Sequence, residues 1–135
     1  RMRGLEAKAS WSLADATEVR VNYSYLDADN VSNGTRLLRR PRHSGGVDLW
    51  HDFGNGFDLG AGLGFVADRK DVHAGNFSTI DGENYAVARI YAAWQVNPQW
   101  KVRARVENAL DESYEQVHGF PQPGVGGYLG LEWQY

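Results

Sequence analysis

The sequence predicts an all-β chain: about seven up-and-down antiparallel strands of the kind that cross a membrane as part of a β-barrel. Three observations predict it. Apolar and polar residues alternate with period two in seven stretches, and none shows a 3.6-residue apolar period. The connections between those stretches run short, long, short, long, short, long, like the periplasmic turns and extracellular loops of an outer-membrane barrel. Aromatic residues gather beside the short turns, where a bilayer interface would hold them.

The first strand is expected from Leu5 to Leu13, with Leu5, Ala7, Ala9, Trp11 and Leu13 on one face and Glu6, Lys8, Ser10 and Ser12 on the other. Ala14 to Thr17 makes a short turn. Glu18 to Asp27 alternates again, Val19, Val21, Tyr23 and Tyr25 against Arg20, Asn22 and Ser24. A polar loop from about Ala28 to Arg42 carries Asn33-Gly34 and a basic run. His43 to Phe53 is looser, with Val47, Leu49 and Phe53 on one face, Asp48 and Asp52 on the other, and Trp50 and His51 falling on the wrong sides.

Gly54-Asn55-Gly56 is a tight-turn signal. The cleanest two-faced strand follows, Phe57 to Asp68, with three glycines (Gly60, Gly62, Gly64) on its polar side. A second long polar loop runs from about Arg69 to Asn84. Tyr85 to Val96 and Trp100 to Glu107 then alternate around an Asn97-Pro98-Gln99 turn. A third long connection, about Ala109 to Pro123, leads to a tail strand over Gly124 to Tyr135, apolar at Val125, Leu129, Leu131, Trp133 and Tyr135. Strands of about nine to twelve residues fit the ~9–11 needed to cross a bilayer at a tilt. Trp11, Phe53, Phe57, Trp94, Trp100, Trp133 and Tyr135 are expected to form one interfacial belt, with Tyr23, Tyr25, Phe65 and Tyr85 towards the other rim.

Composition is compatible with this. A mean hydropathy of -0.52 excludes helical membrane spans but not a barrel, whose lipid-facing and lumen-facing residues average out polar. The absence of cysteine removes disulfides and thiolate metal sites. A net charge of -3, with no basic stripe interleaved with stacking aromatics, argues against a nucleic-acid partner. The chain opens on no signal peptide; for an outer-membrane protein this implies a targeting segment upstream, and a cytosolic protein fits the absence equally. An odd strand count puts the two ends on opposite sides of the membrane, whereas bacterial single-chain barrels have even counts; the chain is expected to be part of a larger barrel. Periodicity alone also fits a soluble β-sandwich or a small ligand-binding barrel.

Three stretches resemble the C-terminal end of TonB-dependent outer-membrane receptors. Asn108-Ala109-Leu110-Asp111-Glu112-Ser113-Tyr114 is similar to the family's Asn-Leu-Phe-Asp-x-x-Tyr on the penultimate strand. Gly119-Phe120-Pro121-Gln122-Pro123-Gly124 is like the Gly-Tyr-x-x-Pro-Gly-Arg that introduces the last strand, and Tyr135 stands where the family ends on an aromatic, usually Phe. Ala109-Leu110 and Val125 depart from the usual Leu-Phe and Arg. Within the family, Arg39-Arg40-Pro41-Arg42-His43 looks like the Arg-Arg-Pro-x-His of vitamin B12 (cobalamin) receptors. The resemblance implies that residues 1–135 form the C-terminal part of a plugged barrel of about 22 strands, with the plug domain and earlier strands outside the chain. It implies a transporter in the bacterial outer membrane, among lipid and lipopolysaccharide, energised by the TonB complex through a plug segment. The implied cargo is a scarce small-molecule ligand, cobalamin or a ferric siderophore. A small structural or adhesin barrel is the alternative.

Asn108 and Asp111 sit where a strand becomes a loop, and both residue types cap such turns by bonding the backbone. With Tyr114, Pro123, Gly124 and Tyr135 they are expected to be structural. Arg39, Arg40 and Arg42 are the candidate ligand contacts, since guanidinium pairs with anionic oxygens bidentately; pairing with carboxylates at the barrel rim competes with that role. Asp68, Asp71, Asp81 and Glu83 are carboxylates of a loop expected to be solvated, with divalent-cation attraction as the alternative. The four histidines are dispersed and expected to bind no metal. No nucleophile elbow, paired-His zinc motif or phosphate-cradling loop is present, so neither catalysis nor a bound cofactor is expected.

Overall fold

The computed structural model describes all residues, Arg1–Tyr135. In chain order the strands are β1 (Met2–Ala14), β2 (Thr17–Ala28), β3 (His43–Asp52), β4 (Phe57–Ala67), β5 (Arg69–Val72), β6 (Thr79–Gly82), β7 (Tyr85–Gln95), β8 (Trp100–Glu107), β9 (Glu115–Val117), β10 (Phe120–Pro121) and β11 (Gly126–Trp133). Seven of them form one antiparallel sheet in the order β1-β2-β3-β4-β7-β8-β11. Two small hairpins, β5–β6 and β9–β10, lie inside connections the sequence presents as plain loops. The seven long strands run from 8 to 13 residues, a wider spread than expected, with β8 and β11 the shortest.

Register converts the alternation into two faces. Residues directly opposite one another share a face, and the row Trp11, Val19, Leu49, Ala61, Ile90, Val106, Gly127 crosses all seven strands. One position along, Ser10, Arg20, Asp48, Gly62, Arg89, Glu107 and Gly126 form the next row on the other face. Within this seven-stranded sheet a register shift occurs only between Ser12 and Ala14, at the first turn. β3 is therefore continuous, and its looseness is a matter of side-chain chemistry. His51 lies on the apolar face, bonded to Thr17 Oγ1 at 2.8 Å and met edge-on by Phe53 at 4.5 Å. Trp50 lies on the polar face.

The short turns close by local bonding. Gly54 and Gly56 hold φ of 73° and 80°, which the tight β3–β4 turn requires and a side chain would resist. Asn97 Oδ1 accepts from the amides of Gln99 and Trp100, both at 2.9 Å, in the β7–β8 turn. Near these turns the apolar face carries aromatics in contact: Phe53 with Phe57 at 5.5 Å, Trp133 with Tyr135 at 5.5 Å, and Phe57 and Trp100 opposite Trp94 and Trp133. These aromatics thus gather at one sheet end. At the other end Tyr23, Tyr25 and Phe65 face outward, while Tyr85, at the same rim, lies in the row of Val66 and Ser44 and faces the polar side.

Burial runs opposite to that of a water-soluble domain. Five of 135 residues are buried; the one apolar side chain among them is Ala28, and the polar ones are Arg69, Asp71 and Asn108. Leu5, Leu13, Leu129, Leu131 and Trp133 are more than half exposed. A sheet with one face this apolar needs a nonaqueous medium against it.

Candidate functional site

Two regions carry the chain's polar chemistry: the inner, polar face of the sheet and the connections at the end away from the aromatic belt.

On the inner face, β4 turns Gly60, Gly62 and Gly64 inward. The Tyr91 ring occupies the space a side chain at Gly60 would fill, and the Asp48 carboxylate with Arg89 occupies that of Gly62. The missing side chains let neighbours lie flat on the wall. Arg89 Nη2 donates to both Asp48 oxygens at 2.7 and 2.8 Å. Arg20 pairs with Glu18 at 2.8 Å and Arg103 with Glu132 at 2.9 Å, while Arg105 stands over the Tyr128 ring at 4.5 Å. This is a charged, largely self-compensated wall. Its pairs stay solvated and screened, so they add little to stability.

At the far end the three long connections, residues 29–42, 68–84 and 108–125, bond to one another. From the first to the second, Arg36 reaches Asp68 at 2.6 Å, Arg42 reaches Asp68 at 3.2 Å, and Arg39 Nε donates to Asp71 Oδ1 at 3.0 Å. The Arg39 amide also donates to the Lys70 carbonyl at 2.7 Å. From the second to the third, Arg69 donates to the carbonyls of Gln116 and Glu115, the latter at 2.9 Å, and the His118 amide donates to Asp71 Oδ2 at 2.8 Å. Asp71 is wholly buried and touches all three connections.

Burial disfavours the Asp71 anion, but the His118 and Val72 amides and Arg39 outweigh it and hold its carboxyl below the usual range. Hydrogen bonding to Arg36 lowers Asp68 in the same way. Bonding to Asp27 raises the Arg42 guanidinium above its ordinary value.

The candidate residues fall into place unevenly. Arg42 commits both Nη atoms, to Asp27 and Asp68; Arg39 commits Nε alone; Arg40 is exposed and joins no ion pair. Asn108 and Asp111 both hold left-handed φ, 50° and 53°. Asn108 is buried, its Nδ2 donating to the carbonyls of Glu112 at 2.8 Å and Pro123 at 3.2 Å, its Oδ1 accepting from the Glu112 amide at 2.8 Å. Asp111 Oδ1 accepts from the Val125 amide at 2.9 Å and lies where a side chain at Gly124 would sit. Together they staple the exit of β8 to the start of β11. Tyr114 packs against Tyr85 with ring centres 4.3 Å apart in a tilted arrangement, and Tyr135 joins the belt through Trp133.

In the second connection the expected solvation is corrected at Asp71, which is buried, and in part at Asp68, which is half-buried against arginines; Asp81 and Glu83 stay exposed, bonded to Lys70 and the Glu115 amide. No cluster of three or more His, Cys, Asp or Glu suited to a metal is formed. Sequence reading missed Arg69 and Arg36, and it named Asp71 without its bridging role. The usable signal was complementarity between a connection rich in arginine and a neighbour rich in aspartate.

An antiparallel sheet apolar on one face, polar on the other, belted by aromatics at its short-turn end, defines a segment of a membrane-spanning β-barrel. The sequence matches the family described as TonB dependent receptor-like, beta-barrel, over residues 1–109. The chain belongs to that family, whose barrels reside in the bacterial outer membrane. Among solved structures it is similar to the copper transporter OprC (TM-score 0.83, 17% identity, 99% of this chain and 24% of that one). It is also similar to P. aeruginosa FpvA, solved with pyoverdines (0.80, 18%, 98% and 19%), and to the ferric-catecholate import receptor Fiu of E. coli K12 (0.80, 18%, 99% and 21%). The chain thus spans about a quarter or less of those proteins' length. Identities this low establish shared fold alone.

Proposed function

We infer that this chain is the C-terminal barrel portion of a TonB-energised outer-membrane importer, and that the importer's cargo is cobalamin. The plug, the earlier strands and the contact with the TonB complex belong to the rest of that protein. The present residues supply wall, inner face and extracellular connections, with no chemistry of their own. The observation that supports the cargo is Arg39-Arg40-Pro41-Arg42-His43, which resembles the Arg-Arg-Pro-x-His of cobalamin receptors; on this reading Arg39, Arg40 and Arg42 would face an arriving ligand. Cobalamin offers a phosphodiester that a guanidinium fork suits.

A ferric siderophore is the second reading, favoured by the fold shared with FpvA and Fiu, whose names tie them to such ligands. The deciding experiment is binding of labelled cobalamin to outer membranes carrying the full-length parent protein, with a ferric siderophore as competitor. Saturable binding untouched by the siderophore is the expected result. Absence of binding by correctly inserted protein excludes cobalamin.

A further inference from the structure

We propose that Arg39 is the anion-recognising residue of this extracellular face, and that Asp71 is a positioning residue which aims its guanidinium. The proposal rests on the importer reading above and assigns unequal roles to the arginines of the first connection.

Four arginines lie there, and their partners separate them. Arg36 gives Nη1 and Nη2 to the Asp68 side chain and carbonyl at 2.6 and 2.7 Å. Arg42 gives Nη1 to Asp68 and Nη2 to Asp27 at 3.2 and 3.1 Å. Neither keeps the paired Nη edge that grips a carboxylate or phosphate. Arg40 is exposed but unanchored, so any contact it makes must order a side chain that is free beforehand, at a cost in rotamer entropy. Arg39 alone combines restraint with availability. Nε is fixed on Asp71 at 3.0 Å, both Nη atoms are unpartnered, and the side chain is 53% exposed while Asp71 is 0% exposed.

Arg39 also holds φ of 58°, a left-handed backbone that side chains resist. The strain is tolerated because its amide is tied to the Lys70 carbonyl at 2.7 Å. Asp71 is itself immobilised by the amides of Val72 and His118, both at 2.8 Å. A buried carboxylate fixed by two amides and one guanidinium nitrogen is a rigid mount, and preorganisation of this kind lowers the entropic cost of contact. The ligand class it fits is an anionic oxygen group: a phosphodiester, carboxylate or catecholate.

The test uses full-length parent protein in outer-membrane vesicles, with cyanocobalamin and a ferric catecholate as parallel probes. On whichever probe binds, Arg39→Gln is expected to weaken binding about tenfold or more, Arg40→Gln less than that, and Arg3→Gln on the outward face of β1 not at all. Arg39→Lys, which keeps charge but loses the fork, falls between. Asp71→Asn is expected to weaken binding, and the Arg39→Gln/Asp71→Asn double variant to bind no worse than Arg39→Gln alone. That non-additivity marks positioning; losses that multiply mark a purely structural Asp71 and overturn its role. Unchanged binding in Arg39→Gln, or a larger loss in Arg40→Gln, overturns the assignment of Arg39. Failure of the wild type to bind either probe sinks the cargo reading instead. The assignment is then decided by phenylglyoxal labelling. Faster modification of Arg39 than of Arg42, slowed by millimolar pyrophosphate, supports it; labelling indifferent to pyrophosphate overturns it.

Discussion

The wall and the outer connections of this chain solve opposite problems. The wall is exposed on both faces: lipid covers one and the polar interior meets the other, so its strands need little packing of their own. Of 77 backbone hydrogen bonds, 58 lie within strands, and that ladder is what holds the wall together. The connections have no such ladder across them. They make a small dry interior from charge, and Arg69, Asp71 and Asn108 are the chain's buried polar side chains. Where a soluble domain hides leucines and shows charges, this chain shows its leucines to lipid and hides an aspartate under its loops.

The sharpest way to break the contrast is Asp71→Ala. It leaves the amides of Val72 and His118 and the Arg39 guanidinium without their common acceptor. Removing one partner of a buried charge network costs about 3–5 kcal/mol. The loss is confined to the connections, because the Asp71 side chain bonds no strand of the seven-stranded sheet. Expected is rapid trypsin cleavage at Arg39 or Lys70 in folded parent protein, with the barrel's heat-resistant gel mobility retained. Acid does the same more gently. Asp68 and Asp71 have lowered carboxyl values, so their contribution is fully present above the unfolded value of about 3.9 and is lost as pH falls through the folded ones. Protection of these connections from hydrogen exchange is expected to hold from neutral pH to about pH 4 and to fall below it.

Leu63→Arg tests the wall by the opposite rule. Leu63 sits mid-strand on β4, on the apolar face between Val47 and Ala88. A charge at the bilayer midplane costs about 2–4 kcal/mol on the lipid face of a barrel. Reversible unfolding of the parent barrel in lipid is the readout, and unaltered stability contradicts the assignment of that face.

Asn108→Ala lies at the boundary of the two regions. It leaves the Glu112 amide and the Pro123 carbonyl without their partner in a partly buried turn and asks alanine to hold φ of 50°. About 1–3 kcal/mol is expected. It is read as faster exchange at the start of β11, and Asn108→Gly, which relieves only the backbone, is expected to recover part of it.

These differences also explain what the sequence disclosed. Wall faces follow from period two and turn chemistry, so Trp11, Val19, Leu49 and Ala61 could be set in one row from local pattern and register. The Asn108 and Asp111 caps were legible for the same reason, since both bond within 4 to 15 residues of themselves. The Asp71 hub was not. Arg39 is 32 residues before it and His118 is 47 after it, and a run reading Asp68-Arg69-Lys70-Asp71 looks like solvated charge. The β5–β6 hairpin that orients Asp71 is 4 residues a side, too short to declare itself by alternation. Pattern reads elements in isolation; ion pairs between connections exist only after the sheet has brought those connections together.

The smallest effect sharpens the same distinction. Arg103 and Glu132 pair at 2.9 Å across β8 and β11 with side chains 58% and 54% exposed, in geometry as close as that of Arg39 with Asp71. Distance alone therefore ranks the two pairs alike. Solvent separates them: an exposed pair is screened and contributes about 0–1 kcal/mol, because water replaces either partner at little cost. Arg103→Gln is expected to shift the unfolding free energy of the parent barrel by less than about 1 kcal/mol, and raising salt to 1 M by no more than that in wild type. A loss of several kcal/mol in Arg103→Gln would mean that this part of the inner face is dry in the assembled protein, covered by a segment that removes water from the pair as the connections remove it from Asp71.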